Sequence, residues 1–395
     1  MKICLDVTPI TSQPSGVGFY ILSLAKELYQ LQSQEDFQVM LAYQPKLINW
    51  LCGRYDFPAC LEAYTNRKII PIPVRLSNVL LMRPMNWINS VLTNYLDNPK
   101  IIHGTNYSVY PQTDGYRVKT IYDVSFGLYP EYATSVSRAY LAQIRKCLEW
   151  TDLVITISES SKRDIVNCFK LSESKVWVTP LASRYSSNSS LPDKPETLKT
   201  KLINTSLNRN SSYRDGKPYI LFVGTIEPRK NIISIIKAFN QLKFSKLIEH
   251  QLLLVGRKGW FYEPIFEEIN QSAYRENIYH LDYVSDASMI DLYQNATVFV
   301  YPSHYEGFGL PILEAMSLGC PVVSSNTSSI PEVVGNAAFM VSPEDIEELA
   351  NALYYVIDNS SVQQSLVTAG YKQAATFSWK RTAQATIEAY RSLVL

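Results

Sequence analysis

Tyr301-Pro302-Ser303-His304-Tyr305-Glu306-Gly307-Phe308-Gly309-Leu310-Pro311-Ile312-Leu313-Glu314-Ala315-Met316 is the stretch on which the reading of this chain turns. A short apolar run, 298–301, has the length and β-branched content of a strand and ends at Tyr301. A loop with two glycines follows, and a helix is expected to begin at Leu310 or Pro311. Strand, Gly-containing loop and helix in that order make one βα step of a parallel sheet. The loop amides and the helix N-terminus form an anion site suited to phosphate, and the glycines let a ligand come close to the backbone. Glu306 stands before the helix and Glu314 about one turn inside it. Carboxylates accept hydrogen bonds from sugar hydroxyls, and Glu314 could take both hydroxyls of a ribose. A lone acid pair would more simply be a helix cap and a solvated residue, but no capping need calls for Glu-Gly-Phe-Gly-Leu-Pro.

The same βα alternation extends in both directions. Strand-like runs are expected at 3–7, 39–43, 69–74, 101–104, 120–124, 153–158 and 176–179, and again at 219–224, 252–256, 278–281, 298–301, 321–324 and 338–341. Many are apolar on both parities, as parallel strands buried on both faces must be. Amphipathic helices fall between them, at 18–31, 159–169 and 231–242 among others. Residues 183–217 are rich in Ser, Asn, Lys and Asp and read as a linker or surface excursion. Ser342-Pro343-Glu344-Asp345 carries the signature of a helix start, with Ser342 as N-cap and Pro343 at the first helical position. The expected architecture is α/β, two Rossmann-like parallel-sheet domains facing each other across a cleft. It divides into 1–182, the linker 183–217, 218–376, and a C-terminal helix at 377–395 that packs back on the first domain. Ligands in such folds bind beyond the carboxyl ends of the strands.

Composition removes several function classes. The 395 residues carry a formal net charge of +1, too weak a field for a dedicated nucleic-acid binder. The six cysteines form no C-x-x-C pair and the four histidines are scattered, so neither a zinc site nor a disulfide framework is expected. Several cysteines sit in apolar stretches and read as reduced core residues. MKICLDVTPI enters a strand pattern directly, with no signal-peptide core, and no apolar run reaches the length of a spanning helix. A cytoplasmic protein is expected, with the inner face of the membrane as an alternative station.

The 301–316 string resembles the E-x7-E motif of the GT-B glycosyltransferases, specifically the large retaining family 4. Leu221-Phe222-Val223-Gly224-Thr225-Ile226-Glu227-Pro228-Arg229-Lys230-Asn231 is similar to the element that opens that family's C-terminal domain. Leu254-Val255-Gly256-Arg257-Lys258-Gly259-Trp260, Tyr283-Val284-Ser285-Asp286 and Ile330-Pro331-Glu332-Val333-Val334-Gly335 look like its later strand ends and turns. Gly16-Val17-Gly18, Ile121-Tyr122-Asp123 and the run 154–161 match more loosely in the N-terminal half.

The resemblance implies a nucleoside-diphosphate sugar as donor and a polysaccharide, oligosaccharide or lipid-linked acceptor. It assigns Lys230 and Arg229 to the departing diphosphate, where a fixed cation is worth more in the transition state than in the ground state. By themselves these two would be a basic turn. It assigns Glu314 to the ribose, and Glu306 with the amides of Gly307, Phe308, Gly309 and Leu310 to the sugar and β-phosphate. Tyr283 and Val284 would lie near the nucleobase, with plain strand-end packing as the alternative. Gly16 would bring a second helix N-terminus to the diphosphate. Thr225, which the resemblance places among the donor-binding residues, stands where many members carry arginine. Mannose as the sugar is a guess from subgroup resemblance.

The histidine that members commonly carry before the acid at Asp123 is here Tyr122, a poor base near neutral pH. Asp123 or His103 could orient the acceptor; His103 could equally be a satisfied strand-end histidine. The retaining mechanism needs no strong protein base, because the departing phosphate takes the acceptor proton. No acid pair sits at a strand end for a metal, so metal-independent transfer and no cofactor are expected. Residues 74–96 mix an apolar face with Arg75, Arg83, Trp87 and Tyr95. They read either as a helix packed on the first sheet or as one lying in a membrane interface. Two other classes stay open: an inactive GT-B subunit that binds sugar nucleotide or scaffolds a complex, and a GT-B relative with epimerase or phosphorylase chemistry.

Overall fold

The computed structural model describes residues 1–394 apart from 12–14, 54–56, 83–85, 107, 111–113, 131–134 and 186–215. The expected linker thus lies almost wholly outside the described residues, as does Arg83. The chain forms two compact units, Met1–Leu181 with Ser378–Leu395, and Ala182–Phe377.

The first unit is a seven-stranded sheet. Its strands are β1 (Lys2–Asp6), β2 (Gln38–Tyr43), β3 (Arg67–Ile69), β4 (Ile101–Gly104), β5 (Tyr116–Thr120), β6 (Leu153–Thr156) and β7 (Val176–Val178). Their order is β3-β2-β1-β4-β5-β6-β7, and every neighbouring pair is parallel. The second unit contributes β8 (Tyr219–Val223), β9 (Gln251–Val255), β10 (Ile278–Leu281), β11 (Val298–Tyr301), β12 (Val322–Ser325) and β13 (Phe339–Val341). Here the order is β10-β9-β8-β11-β12-β13, again all parallel. Helices on both faces bury these strands, so β8, β9, β11 and β12 are buried at every residue.

In each sheet the strand order reverses once, between β1 and β4 and between β8 and β11. Doubly wound sheets bind ligands at such a reversal, where two successive loops diverge to opposite faces and leave a crevice. In the second unit those two loops follow Val223 and Tyr301. They contain Arg229-Lys230 and Glu306.

Three details differ from the sequence expectation. The strand expected at 120–124 lies at Tyr116–Thr120, because register is set by pairing with Ile101 and Leu153 rather than by local hydrophobicity. The helix expected to start at Ser342 is Ile346–Asp358, capped by Asp345, whose Oδ1 accepts from the Glu348 amide at 2.8 Å. Glu348 accepts from the Ser342 amide at 2.8 Å, so Ser342 lies ahead of the helix and is tied to its first turn rather than capping it. Residues 74–96 form two helices, Val74–Met82 and Asn86–Tyr95. Cys4, Cys147 and Cys320 are buried free thiols, while Cys52 and Cys60 are exposed.

The C-terminal helix, Trp379–Val394, completes the first unit. Thr382 Oγ1 donates to the Pro180 carbonyl at 2.6 Å. Tyr390 Oη lies 2.6 Å from His103 Nδ1, and Thr120 Oγ1 is 2.7 Å from His103 Nε2. His103 is wholly buried with both ring nitrogens engaged, so it ties strand to helix and does not address an acceptor. Burial pushes its pKa down from 6.5 to about 3. Between those values the unfolded chain binds a proton that the folded chain refuses, so stability falls as pH falls. Unfolding titrations of His103→Asn are therefore expected to lose roughly 1 kcal/mol per pH unit of the slope between pH 6 and 4; an unchanged slope would rule this linkage out.

Candidate active site

At the β8–β11 reversal, the sequence of each loop dictates its shape. After β8, Pro228–Lys230 make one tight turn. Asn231 then takes a left-handed conformation, φ 56°, which Asn tolerates better than most side chains. Its Nδ2 donates to the carbonyls of Pro302 (3.1 Å) and Pro343 (2.7 Å), binding this turn to the loop after β11. The His304 amide donates to the Arg229 carbonyl at 3.0 Å. After β11, Gly309 sits at φ 106°, a region closed to most L side chains, and turns the chain into the helix Leu310–Ser317. That helix start has no side-chain cap.

The turn and the loop bring three expected residues together. Lys230 Nζ lies 2.6 Å from Glu306 Oε1 and donates to Tyr301 Oη at 2.8 Å. Arg229 reaches Glu306 Oε2 at 3.2 Å and Glu227 Oε1 at 2.7 Å, and donates to the Tyr305 carbonyl at 2.6 Å. Lys230, Glu306 and Glu227 are buried. Burial pulls the lysine pKa down, and Arg229 adds to that, against the pull of Glu306 and Glu227. Burial alone would raise the Glu306 carboxyl, but Lys230 and Arg229 outweigh it and hold it at about 2. Two cations and two carboxylates make the cluster charge-balanced rather than net positive.

Glu314 is the fifth residue of the helix and is also buried. Its partners are Arg184 (2.8 Å) and Tyr293 Oη (3.3 Å). Arg184 was not singled out by the sequence. It lies 130 positions away, inside the polar stretch 183–217 that reads as a linker, where no periodic signal marks it. Of the remaining expected residues in this unit, Thr225 is exposed just after β8. Tyr283 is exposed after β10 with the Arg257 guanidinium 5.5 Å from its ring centroid, and Val284 follows it, half-buried. Phe308 turns inward and packs edge-on against Phe377, so only its backbone is available to a ligand.

The other expected residues lie in the first unit. Gly16 opens the helix Gly16–Leu31 after β1, with Ser15 as its cap. Asp123 Oδ1 accepts from the amide and hydroxyl of Ser125 at 2.9 and 2.7 Å. Tyr122 donates to the Thr105 carbonyl at 2.5 Å.

Two doubly wound parallel sheets, with a buried lysine, a half-buried arginine and buried carboxylates gathered where one of them reverses, define the class: a GT-B glycosyltransferase. Residues 204–373 match the family described as glycosyl transferases group 1. The chain is 31% identical over 399 residues to the O-antigen chain mannosyltransferase B of Escherichia coli, with 100% of both chains covered. It belongs to the group 1 glycosyl transferases. It is also similar to the MMP alpha-(1->4)-mannosyltransferase of Mycolicibacterium hassiacum, 27% identical over 61% of this chain and 54% of that one. Among solved structures, a sucrose-phosphate synthase from Thermosynechococcus elongatus shares the fold, with a TM-score of 0.69 at 19% identity over 100% of this chain and 99% of that one.

A buried ion pair costs several kcal/mol per ion to desolvate, so removing one partner strands the other. Lys230→Met and Glu306→Gln are each expected to cost the second unit about 3 kcal/mol in urea unfolding. The double variant should lose about 2 kcal/mol less than their sum; strict additivity would show that the two charges do not support each other.

Proposed function

We propose that this glycosyltransferase is a retaining enzyme of the family 4 type that moves mannose from GDP-mannose to a polysaccharide or lipid-linked acceptor. The observation that carries the reading is the Lys230–Glu306–Arg229 cluster at the reversal of the second sheet. The similarity to mannosyltransferases supports the choice of sugar. In the transfer, the acceptor oxygen forms a bond to the anomeric carbon while the bond from that carbon to the β-phosphate oxygen breaks. The acceptor proton passes to the departing phosphate on the same face. An ammonium has three N–H donors; Lys230 commits two, to Tyr301 and Glu306, and the third is directed to the leaving phosphate. Arg229 supplies the second positive charge. The amides from Gly307 to Leu310 hold the β-phosphate, Glu306 the sugar and Glu314 the ribose. Tyr122 spends its hydroxyl on the Thr105 carbonyl, which agrees with a mechanism that asks no base of it. Asp123, with one oxygen on Ser125, is assigned to orienting the acceptor. No step calls for a metal.

The acceptor side has its own observation. On the helices Val74–Met82 and Asn86–Tyr95 the polar Ser77 and Thr93 are buried, while Leu76, Val79, Trp87 and Val91 face water. Nearby, Ile48 and Leu51 are exposed as well. Leu92 packs against the core, so these helices carry apolar residues on two sides, where a surface helix usually keeps its apolar stripe inward. Residues 46–96 hold Lys46, Arg54, Arg67, Lys68, Arg75 and Arg83 against Asp56 and Glu62, in a chain whose total is only +1. Exposed apolar helix residues in a stretch of basic sequence fit an anionic bilayer. Among the described residues no helix is long and apolar enough to cross one, so the assigned contact is peripheral.

GDP-mannose with a glycan or lipid-linked acceptor is expected to release GDP, unaffected by EDTA, and to give a product with the donor's α configuration by NMR. Lys230→Ala should lower kcat by about 10²–10³-fold. An inverted product, or a rate that tracks added divalent metal, would overturn the mechanism. For the membrane face, Val79→Glu/Trp87→Glu is expected to lose about tenfold in co-sedimentation with phosphatidylglycerol-containing vesicles. Equal binding of the variant and the unaltered chain, or indifference to lipid charge, would remove it.

A further inference from the structure

Glu314 is held from two sides. Arg184 Nε lies 2.8 Å from Oε1, and Nη2 donates to Oε2 at 3.4 Å. The same guanidinium reaches Asp286 Oδ1 at 3.2 Å and sits 5.0 Å from the centroid of the Tyr185 ring. Tyr293, on the helix Asp286–Asn295, donates to Oε2 at 3.3 Å. Tyr185 closes the group, edge-on to Tyr293 at 6.4 Å. Arg184 occurs just past Leu181, in the first residues that belong to the second unit.

This arrangement answers a specific difficulty. Glu314 is 7% exposed, and burial drives its carboxyl toward the protonated form, against which Arg184 and Tyr293 pull. A protonated carboxyl keeps only one good acceptor oxygen, whereas a vicinal diol presents two hydroxyl donors at fixed separation. Two ionised oxygens in one orientation are therefore required. The fork of Arg184 fixes the carboxylate plane, as planar guanidinium–carboxylate pairs do. A carboxylate offers about four lone-pair sites; Nε, Nη2 and Tyr293 take three, so one ribose hydroxyl uses the remaining site and the other displaces the 3.4 Å Nη2 contact, the weakest in use, while the 2.8 Å Nε contact keeps the carboxylate in place.

We propose that Arg184 is a positioning residue of the donor site, holding the Glu314 carboxylate as a two-oxygen acceptor for the vicinal hydroxyls of the donor's ribose. This rests on the reading of Glu314 as the ribose residue and adds the residue that makes it competent. Arg184 touches neither the sugar nor the phosphates in this role; it acts through Glu314.

The test is a comparison of nucleotides rather than of activity. The full chain, Arg184→Gln and Arg184→Lys are titrated calorimetrically with GDP, UDP and their 2′-deoxy counterparts. The unaltered chain should prefer the ribose form of whichever nucleotide it binds by at least tenfold. Arg184→Gln should bring that preference below threefold while binding the deoxy form about as before, and Arg184→Lys should restore part of it. A preference kept intact in Arg184→Gln, or equal weakening toward both forms, overturns the proposal. If Arg184→Gln does not fold, Arg184→Lys decides: it keeps the charge but loses the fork, so a preference undiminished in it rejects the positioning role. An unaltered chain that binds both forms equally, or binds no nucleotide, overturns the ribose reading of Glu314 itself.

Discussion

A lysine ammonium 2.6 Å from a glutamate carboxylate inside the protein is expensive to assemble, and much of the second unit is arranged to make it affordable. Lys230 sits 5.1 Å from the centroid of the Tyr301 ring and donates to the same residue's hydroxyl. Phe222 and Phe299 stack on either hand of that ring at 5.7 Å, so the last residue of β11 is fixed by the sheet beneath it. Glu306 is fixed through its backbone, its amide donating to Ser328 Oγ at 2.9 Å and its carbonyl accepting from Ser329 Oγ at 2.8 Å. Rigid neighbours on both partners lower the reorganisation that a charge pair demands. They also make the loops after β8 and β11 one body, which is what a site at a strand reversal needs.

The parts legible in the sequence are those whose chemistry is local. Glycine at a left-handed position, proline opening a helix and an acid beside a glycine have meanings that do not depend on distant residues. The 301–316 string therefore gave the strand end, the loop and the helix at Leu310–Ser317. The meeting of Lys230 with Glu306 was legible only through resemblance, because 76 positions separate them. Arg184 had neither a local pattern nor a motif. The β5 register failed for a related reason: 120–124 is the more apolar window, but the ladder to β4 and β6 holds 116–120.

Residues 74–96 show a different limit. Periodicity reports that a helix has an apolar face; it does not report which way that face turns. Both of the sequence readings, a packed helix and an interfacial one, share the same pattern. What the pattern does not carry is the burial of Ser77 and Thr93, each of which finds a partner: Ser77 donates to Tyr110 Oη at 3.0 Å and Thr93 to the Asn89 carbonyl at 2.7 Å. Leu92 packs against the core while Leu76, Val79, Trp87 and Val91 face water, a division that only the tertiary packing could have told.

The balance of charge in the cluster constrains how a diphosphate could be recognised there. Arg229 and Lys230 are matched by Glu227 and Glu306, so no large net field draws an anion in. What remains is directional: a third ammonium donor, the amides of an uncapped helix start, and a setting poor in water, where each hydrogen bond to charge is stronger than in solvent. Such a site discriminates by geometry more than by attraction. It suits a ligand whose charge grows during the reaction, because fixed dipoles and a buried ammonium interact most strongly when the leaving oxygen is most negative. A net positive pocket would instead grip the intact donor and the released diphosphate alike, and product would leave slowly.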